Sequence, residues 1–216
     1  RLLGPMRSGR ISAVAGVPGD ASTYYIGNPE GGVFKTTSGG TVWTPIFDQE
    51  PVSSIGAIAV APSDPNIVYV GTGDVVNVGG AVNQGNGVYK STDAGRTWRH
   101  LGLDDSRHIG GIVVDPHDPN VVVVAALGHT YAANPMRGIY RSSDGGATWK
   151  QVLHTTDTAG AIDLVANATG PRELWAAFEP HAPGAPESDA AILRSADQGL
   201  TWQPISGAGL PALRGR

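Results

Sequence analysis

The segment Ser91-Thr92-Asp93-Ala94-Gly95-Arg96-Thr97-Trp98 decides the fold, because its pattern S-x-D-x-G-x-T-W recurs along the chain. We call this eight-residue motif the box. It returns at 142–149 and 195–202, and a degenerate copy at 36–43 has Ser38 in place of the aspartate. The box tryptophans lie 55, 51 and 53 residues apart. A steady period of about 50 residues indicates a repeat architecture.

A second pattern precedes each box in the same phase. In the second repeat, Ile58-Ala59-Val60 leads into a Pro/Asp/Asn turn at 62–66, and a second apolar run follows at 67–70. A third short strand then ends in a basic residue directly before the box. Each repeat therefore reads as four strands, A to D, joined by tight turns, which is the pattern of a propeller blade.

We therefore predict an all-β fold, a β-propeller of four-stranded antiparallel blades. Residues 1–216 form a single, partial propeller with blades at approximately 8–50, 51–104, 105–156 and 157–206. Residues 207–216 are expected to start a further blade, because 213–216 resemble 6–10. An arc of four blades would expose one face at each end, so the remaining blades of a parent chain or a second copy are expected as partners.

Composition excludes several functional classes. The formal net charge is −4 without a dense basic run, which argues against nucleic-acid binding. The chain has no cysteine, so disulfides, thiolate metal sites and cysteine nucleophiles are excluded. No apolar run reaches the length of about 18 residues that a membrane span requires. The six histidines are dispersed, and we expect neither a metal nor a cofactor.

The box residues are expected to be structural rather than catalytic. A short carboxylate can accept several backbone N–H groups in a tight turn, and glycine tolerates a positive φ there. The tryptophan is expected to bury its ring between blades. The residues assigned this role are Ser91, Asp93, Gly95, Thr97, Trp98, Ser142, Asp144, Gly146, Thr148, Trp149, Ser195, Asp197, Gly199, Thr201, Trp202 and Trp43.

These boxes make the chain similar to the Asp-box (bacterial neuraminidase repeat, BNR) propellers. Gly73-Asp74, the segment 85–91 and Arg107-His108-Ile109-Gly110 resemble more closely the secreted bacterial proteins grouped with the sortilin and glycoside hydrolase family 74 propellers. The resemblance covers essentially the whole chain. It implies an extracellular or periplasmic protein, although no signal peptide is visible and the chain starts at Arg1.

In a propeller the B–C loops share one face, and here those of blades two to four are long and polar. Long loops on a rigid scaffold commonly carry function. Amide, imidazole, phenol and charged groups on one face suit a glycan or a protein or peptide ligand. The candidate ligand-binding residues are Asp74, Asn83, Asn86, His108, His129, Tyr131 and Arg137.

Glycoside hydrolysis requires two carboxylates roughly 5 to 10 Å apart. Asp74 and Glu179 are candidates for this role, and no motif identifies either. In the family 74 enzymes the resemblance places the catalytic base before a Gly-Gly pair in the first blade, where this chain has Pro29 followed by Glu30. The second carboxylate of those enzymes comes from another domain, so this chain alone is not expected to be active.

Three functions therefore remain open. The first is recognition of a glycan, peptide or protein by the B–C loop face. The second is a fragment of a family 74-like hydrolase that acts on polysaccharide. The third is a scaffold or assembly-factor propeller, for which a flat and apolar loop face would be expected.

Overall fold

The computed structural model describes residues 10–75, 83–167, 170 and 172–205, which form four antiparallel sheets of four strands each. Blade 1 contains β1 (Ala13–Val17), β2 (Asp20–Asn28), β3 (Gly32–Thr36) and β4 (Thr44–Pro45). Blade 2 contains β5 (Ile55–Val60), β6 (Val68–Thr72), β7 (Val88–Ser91) and β8 (Arg99–His100). Blade 3 contains β9 (Ile109–Val114), β10 (Val122–Ala126), β11 (Gly138–Ser142) and β12 (Lys150–Leu153). Blade 4 contains β13 (Ala159–Ala166), β14 (Leu174–Pro180), β15 (Ala191–Ser195) and β16 (Gln203–Pro204).

Strand order within each blade follows the chain, so each blade is a meander from an inner strand A to a short outer strand D. The inner strands β1, β5, β9 and β13 lie side by side in that order. This arrangement confirms the predicted all-β propeller fold. The blade bounds given above stay a prediction, and the expected start of a fifth blade at 207–216 lies outside the described residues.

The hydrophobic cores lie between blades, because alternate residues of a strand point to opposite faces of its sheet. In β6, Val68 and Val70 belong to the cluster shared with blade 1, while Tyr69 belongs to the cluster shared with blade 3. A third cluster joins blades 3 and 4 through residues such as Val123 and Leu174. Each inner blade is therefore buried on both faces by its neighbours in the chain.

Each full box closes its C–D turn with the same hydrogen bonds. In blade 3 the Asp144 carboxylate accepts the backbone N–H of Thr148 at 2.9 Å, the Thr148 hydroxyl and the Ser142 hydroxyl at 2.7 Å. The Ser142 hydroxyl oxygen accepts the N–H of Gly146 at 2.8 Å. These donors lower the pKa of Asp144 to about 2, with the Thr148 hydroxyl as the largest cause. The carboxylate thus replaces strand partners that the turn cannot supply.

The degenerate box of blade 1 keeps this geometry without a charge. The Ser38 hydroxyl accepts the N–H of Val42 at 2.9 Å, and the Thr36 hydroxyl accepts the N–H of Gly40 at 3.1 Å. Gly40 has a φ of 91°, close to the 88° of Gly95 and Gly146. A neutral acceptor is therefore sufficient for the turn, which supports a structural role for the motif.

Two of the boxes also bond across the blade interfaces through their tryptophans, whereas the indole N–H of Trp202 donates to the Gly199 carbonyl of its own box at 3.1 Å. The indole N–H of Trp98 donates to the Ile46 carbonyl of blade 1 at 2.7 Å, and that of Trp149 donates to the Leu101 carbonyl of blade 2 at 2.9 Å. Both indole rings are half-buried against those blades. Gly146 has a φ of 88°, and a Cβ there would lie 2.4 Å from Leu101 Cδ1, so a side chain at this position would strain the backbone and displace Leu101.

We expect Trp149→Ala to lower the free energy of unfolding by about 3 kcal/mol, because it removes a ring packed between blades and an interblade hydrogen bond. Trp149→Phe keeps most of the ring and should cost about 1 kcal/mol, the usual size of one hydrogen bond. Urea denaturation measures both. A loss below about 1 kcal/mol for Trp149→Ala would contradict the interblade role.

We expect Asp144→Asn to lower the melting temperature at pH 7. A carboxyl whose pKa is lower in the folded state stabilises the fold above its ordinary pKa of 3.8, and this stabilisation is lost as pH falls towards about 2. The melting curves of the wild type and the variant should therefore converge near pH 2. A difference in melting temperature that is independent of pH would show that the charge of Asp144 is not what stabilises the turn.

Candidate functional site

A cavity of about 860 Å³ opens where the inner strands meet the B–C loops of blades 2 to 4. Gly110, Ile162 and Asp163 of the inner strands form part of its wall. The end of β14 supplies Glu179 and Pro180. The B–C loops supply the remaining lining residues, which are Val75, Thr130, Tyr131, His181, Ala182, Pro183, Gly184, Ala185 and Glu187. The cavity therefore lies on the face where the long loops were predicted to carry function.

Tyr131 and Glu179 are the two predicted candidates whose side chains line this cavity. Tyr131 is 63% exposed, which leaves much of its ring open to a ligand. Glu179 is the next-to-last residue of β14, is half-buried, and has no hydrogen-bond donor to its carboxylate among the described residues. The two residues come from different blades, so a ligand in the cavity would contact both blades.

His181 lies beside Glu179 on the same wall. Its backbone N–H donates to the Thr158 carbonyl at 2.9 Å, which anchors the start of the loop. Burial lowers the pKa of the His181 imidazole, the Glu179 carboxylate opposes this shift, and Arg137 adds to it. The imidazole is thus mainly neutral near pH 7 and offers one donor and one acceptor.

Asp163 is a cavity residue that was not among the predicted candidates. It lies in the inner strand β13 opposite Ala177, at the register position that Ala57 and Gly111 occupy in the preceding blades. Those small residues pack against the following blade, whereas Asp163 is exposed at the cavity. A carboxylate within an otherwise apolar A strand was the signal that could have identified it.

Asp74, the other candidate carboxylate, is 1% exposed and pairs with Arg10. Its own backbone N–H donates to the Asn83 carbonyl at 3.1 Å. Its neighbour Val75, not Asp74, is the residue that lines the cavity. A buried and paired carboxylate stabilises the loop base, so a catalytic role for Asp74 stays a prediction for which this geometry offers no support.

The amides Asn83 and Asn86 bond mainly within the protein. Asn83 is exposed, and its side-chain N–H donates to the Pro29 carbonyl at 3.3 Å, which joins the loops of blades 1 and 2. The Asn86 side-chain N–H donates to the Tyr89 hydroxyl at 2.8 Å, and the backbone carbonyl of Asn86 accepts from His100 Nε2 at 2.7 Å. Asn86 therefore orders the end of its loop, while Asn83 lies on the surface.

Arg137 is fully buried and organises the B–C loop of blade 3. Its guanidinium donates to backbone carbonyls of Leu127, His129, Ala132 and Asp157, the last at 2.9 Å. Burial lowers its pKa to about 10, which leaves it charged near pH 7. With its donors directed to the backbone, Arg137 holds the loop in place and lies outside the cavity lining.

The two remaining candidates, His108 and His129, lie in one polar cluster beneath this loop. His129 Nε2 lies 2.9 Å from Asp105 Oδ1, and the Asn134 amide donates to the other carboxylate oxygen at 3.2 Å. The His129 contact is the main cause of the lowered pKa of Asp105. His108 is completely buried, with Nε2 at 3.1 Å from the Thr130 hydroxyl and no partner for Nδ1 among the described residues.

At the position where the resemblance places a catalytic base, the chain forms a local turn. The Asn28 side-chain oxygen accepts the N–H of Glu30 at 2.8 Å, and the Glu30 side chain is exposed. Over the described ranges there is no group of three or more histidine, aspartate or glutamate side chains that could hold a metal. Nor is any helix in those ranges long and apolar enough to cross a membrane.

The chain is similar in sequence to xyloglucanases and in fold to GH74 enzymes. A xyloglucanase of Paenibacillus sp. is 27% identical to the chain, over 82% of the chain and 19% of the relative. A solved structure of an ancestral GH74 enzyme matches 95% of the chain with a TM-score of 0.72 at 22% identity, and the match covers 26% of that enzyme. The GH74 xyloglucanase from Xanthomonas campestris matches 98% of the chain with a TM-score of 0.68 at 23% identity, over 32% of its own length. No family model matches the chain.

The chain is therefore a β-propeller whose fold is similar to that of GH74 enzymes, and it spans about a fifth of the length of this curated relative. This structural likeness, at 22% and 23% identity, shows the fold alone.

We expect the stability of the fold to fall in mild acid because of His108. Burial lowers the pKa of its imidazole from 6.5 to about 4, and nearby His181, His129, Arg137 and Arg107 add to the shift. Since the folded state favours the neutral ring, this contribution is complete above pH 6.5 and is lost as pH falls towards 4. The loss should approach about 1.4 kcal/mol per pH unit.

Denaturation of the wild type and of His108→Gln between pH 7 and 4 measures this slope. The glutamine cannot ionise, so the variant should show a shallower decline of unfolding free energy, with the remainder due to groups such as His181. An unchanged slope in the variant would contradict the assignment.

Proposed function

We propose that the B–C loop face of this chain binds a polysaccharide chain as one segment of a larger xyloglucanase-like protein of the Asp-box, sortilin and family 74 group. The observation that carries the proposal is the 860 Å³ cavity at the meeting point of three blades. The xyloglucanase names of its relatives support a glycan over a peptide as the ligand. An extracellular or periplasmic location belongs to the same proposal.

The lining suits a sugar chain. A pyranose ring presents an apolar face and a rim of hydroxyls, so it needs an aromatic platform and many hydrogen-bonding groups. The exposed ring of Tyr131 provides such a platform on one wall. Glu179, His181 and Glu187 provide acceptors and a donor on the opposite loop. The polar walls do not match the flat and apolar face that a scaffold propeller would require.

Hydrolysis is the second candidate function, and a specific observation favours it. Three carboxylates, Asp163, Glu179 and Glu187, line the same cavity. A retaining or inverting glycosidase needs two carboxylates that flank one bond. The resemblance implies a catalytic aspartate at position 29, where this chain has proline, and Asp74 is buried. Any catalytic pair in this chain would therefore differ from the one that the resemblance implies.

We expect the chain to bind xyloglucan oligosaccharides, measured by isothermal titration calorimetry. Tyr131→Ala should weaken binding about tenfold, since ring stacking contributes about 1 kcal/mol beyond simple burial. Tyr131→Phe keeps the ring and should retain most of the affinity. Glu179→Gln should weaken binding less than Tyr131→Ala, because a neutral amide still accepts hydrogen bonds.

Asp48→Asn, which changes an exposed carboxylate of blade 1 outside the cavity, serves as the matched control. Failure of the wild type to bind any oligosaccharide, or an unchanged affinity of Tyr131→Ala, would overturn the proposal. Release of reducing sugar that stops in Glu179→Gln or Asp163→Asn would establish the hydrolytic function in addition.

A further inference from the structure

A buried histidine adjoins the blade 3 wall of the cavity. His108 is completely buried, and its Nε2 atom lies 3.1 Å from the hydroxyl oxygen of Thr130, a residue that lines the cavity. His108 directly precedes the inner strand β9, whose Gly110 lines the same cavity. Within the described part of the chain, the Thr130 hydroxyl hydrogen-bonds to His108 alone. The direction of this one hydrogen bond therefore decides whether the hydroxyl can offer a proton to a ligand.

The backbone fixes the positions of both members of this contact. The His108 carbonyl accepts the backbone N–H of Leu127 at 2.9 Å, which ties the histidine to the end of strand B. The buried guanidinium of Arg137 donates to the carbonyls of Leu127 and His129, so it holds the chain directly before Thr130. A hydroxyl held in this way is ordered before a ligand arrives, which reduces the entropic cost of binding.

The His108 ring is neutral near pH 7, so only one of its two nitrogens carries a proton. Burial is the main cause that lowers the pKa of this ring to about 4, and nearby histidines and arginines add to the shift. A neutral imidazole has one donor nitrogen and one acceptor nitrogen. Two tautomers are therefore possible, and they give the Thr130 hydroxyl opposite roles.

The surroundings of the two nitrogens favour the tautomer that carries the proton on Nε2. The Nδ1 atom of His108 is buried and has no partner among the described residues. A proton on Nδ1 would leave a buried N–H without an acceptor, which is rarer in proteins than a buried acceptor without a donor. With the proton on Nε2, the ring donates to the Thr130 oxygen, and only a lone pair stays unpaired. The hydroxyl proton of Thr130 is then available to an acceptor in the cavity.

A donor on the blade 3 wall complements the acceptors on blade 4. The carboxylates of Asp163, Glu179 and Glu187 line the cavity from blade 4, and ionised carboxylates only accept hydrogen bonds. They can therefore bind the hydroxyls of a sugar, but they cannot bind its ring oxygen or its glycosidic oxygen, which carry no hydrogen. Those oxygens need a donor, and the Thr130 hydroxyl is one.

We propose that the Thr130 hydroxyl donates a hydrogen bond to an oxygen of the sugar bound in the cavity, and that His108 is the positioning residue that directs it there. The inference rests on the proposed function, because it requires a sugar in this cavity. It also gives the sugar an orientation. Its ring or glycosidic oxygens face blade 3, and its hydroxyls face the carboxylates of blade 4.

Nitrogen NMR of the histidine rings in the wild-type chain tests the tautomer without a ligand. At pH 7 the His108 ring should carry its proton on Nε2 and a bare Nδ1, and its signals are assigned by their absence in His108→Gln. A proton on Nδ1 would overturn the inference, since the Thr130 hydroxyl would then donate to His108. That result would leave the proposed function intact.

Calorimetric titration with a xyloglucan oligosaccharide tests the hydroxyl. Thr130→Val should weaken binding about fivefold, the usual effect of losing one hydrogen bond, whereas Thr130→Ser keeps the hydroxyl and should bind like the wild type. Thr44→Val, the same change on the exposed strand β4 of blade 1, is the matched control and should have no effect. If Thr130→Val binds normally while Tyr131→Ala is weakened, the inference is wrong and the proposed function stands.

A double-mutant cycle tests the positioning role of His108. The asparagine of His108→Asn ends short of the Nε2 position and cannot reach Thr130. In this background Thr130→Val should change the dissociation constant less than about twofold, because the hydroxyl is no longer directed. The full fivefold effect in this background would refute the positioning role. Melting temperatures establish that each variant is folded. A wild type that binds no oligosaccharide would overturn the proposed function, and this inference with it.

Discussion

The backbone carbonyl of the fourth box residue is the acceptor on which the arrangement of blades depends. Four box residues hold this position in a left-handed conformation, with φ between 59° and 71°. In three of them the carbonyl accepts from a basic side chain of the preceding blade, which is the next-to-last residue of strand C there. The box therefore has two functions at once, since it closes its own turn and presents an acceptor to the neighbouring blade.

This constraint explains why one face of the propeller is uniform and the other is not. The box turns and the A–B turns lie on the uniform face, where the box turns of blades 2 to 4 bond to the preceding blade. The B–C loops have no such partner requirement, and in blade 3 the loop is held instead by Arg137 through four backbone carbonyls. The buried guanidinium can hold the loop whatever its side chains are, because every residue supplies a backbone carbonyl.

The sequence predicts those features whose interactions join residues close together in the chain. The box bonds span at most four residues, as from Asp144 to Thr148, so the motif predicts its own turn and the fold. Asp74 meets Arg10 across 64 residues, and no local pattern announces that pairing. Asp163 stands out in its apolar strand, but only the fold shows that this position is exposed at the cavity, and it was therefore missed.

The carboxylates show how the same chemical group is given two different properties by the backbone around it. On the box face, Asp93, Asp144 and Asp197 each accept backbone N–H and hydroxyl donors, and their pKa values fall to about 2. Their lone pairs are occupied, so they have little capacity left for a ligand.

On the loop face, Glu179 has no hydrogen-bond donor within the described residues and lines a cavity beside the His181 imidazole. Sequence motifs identify the first kind of carboxylate because its partners are local. The second kind is recognised by what surrounds it in space, and it is the kind that a ligand can use.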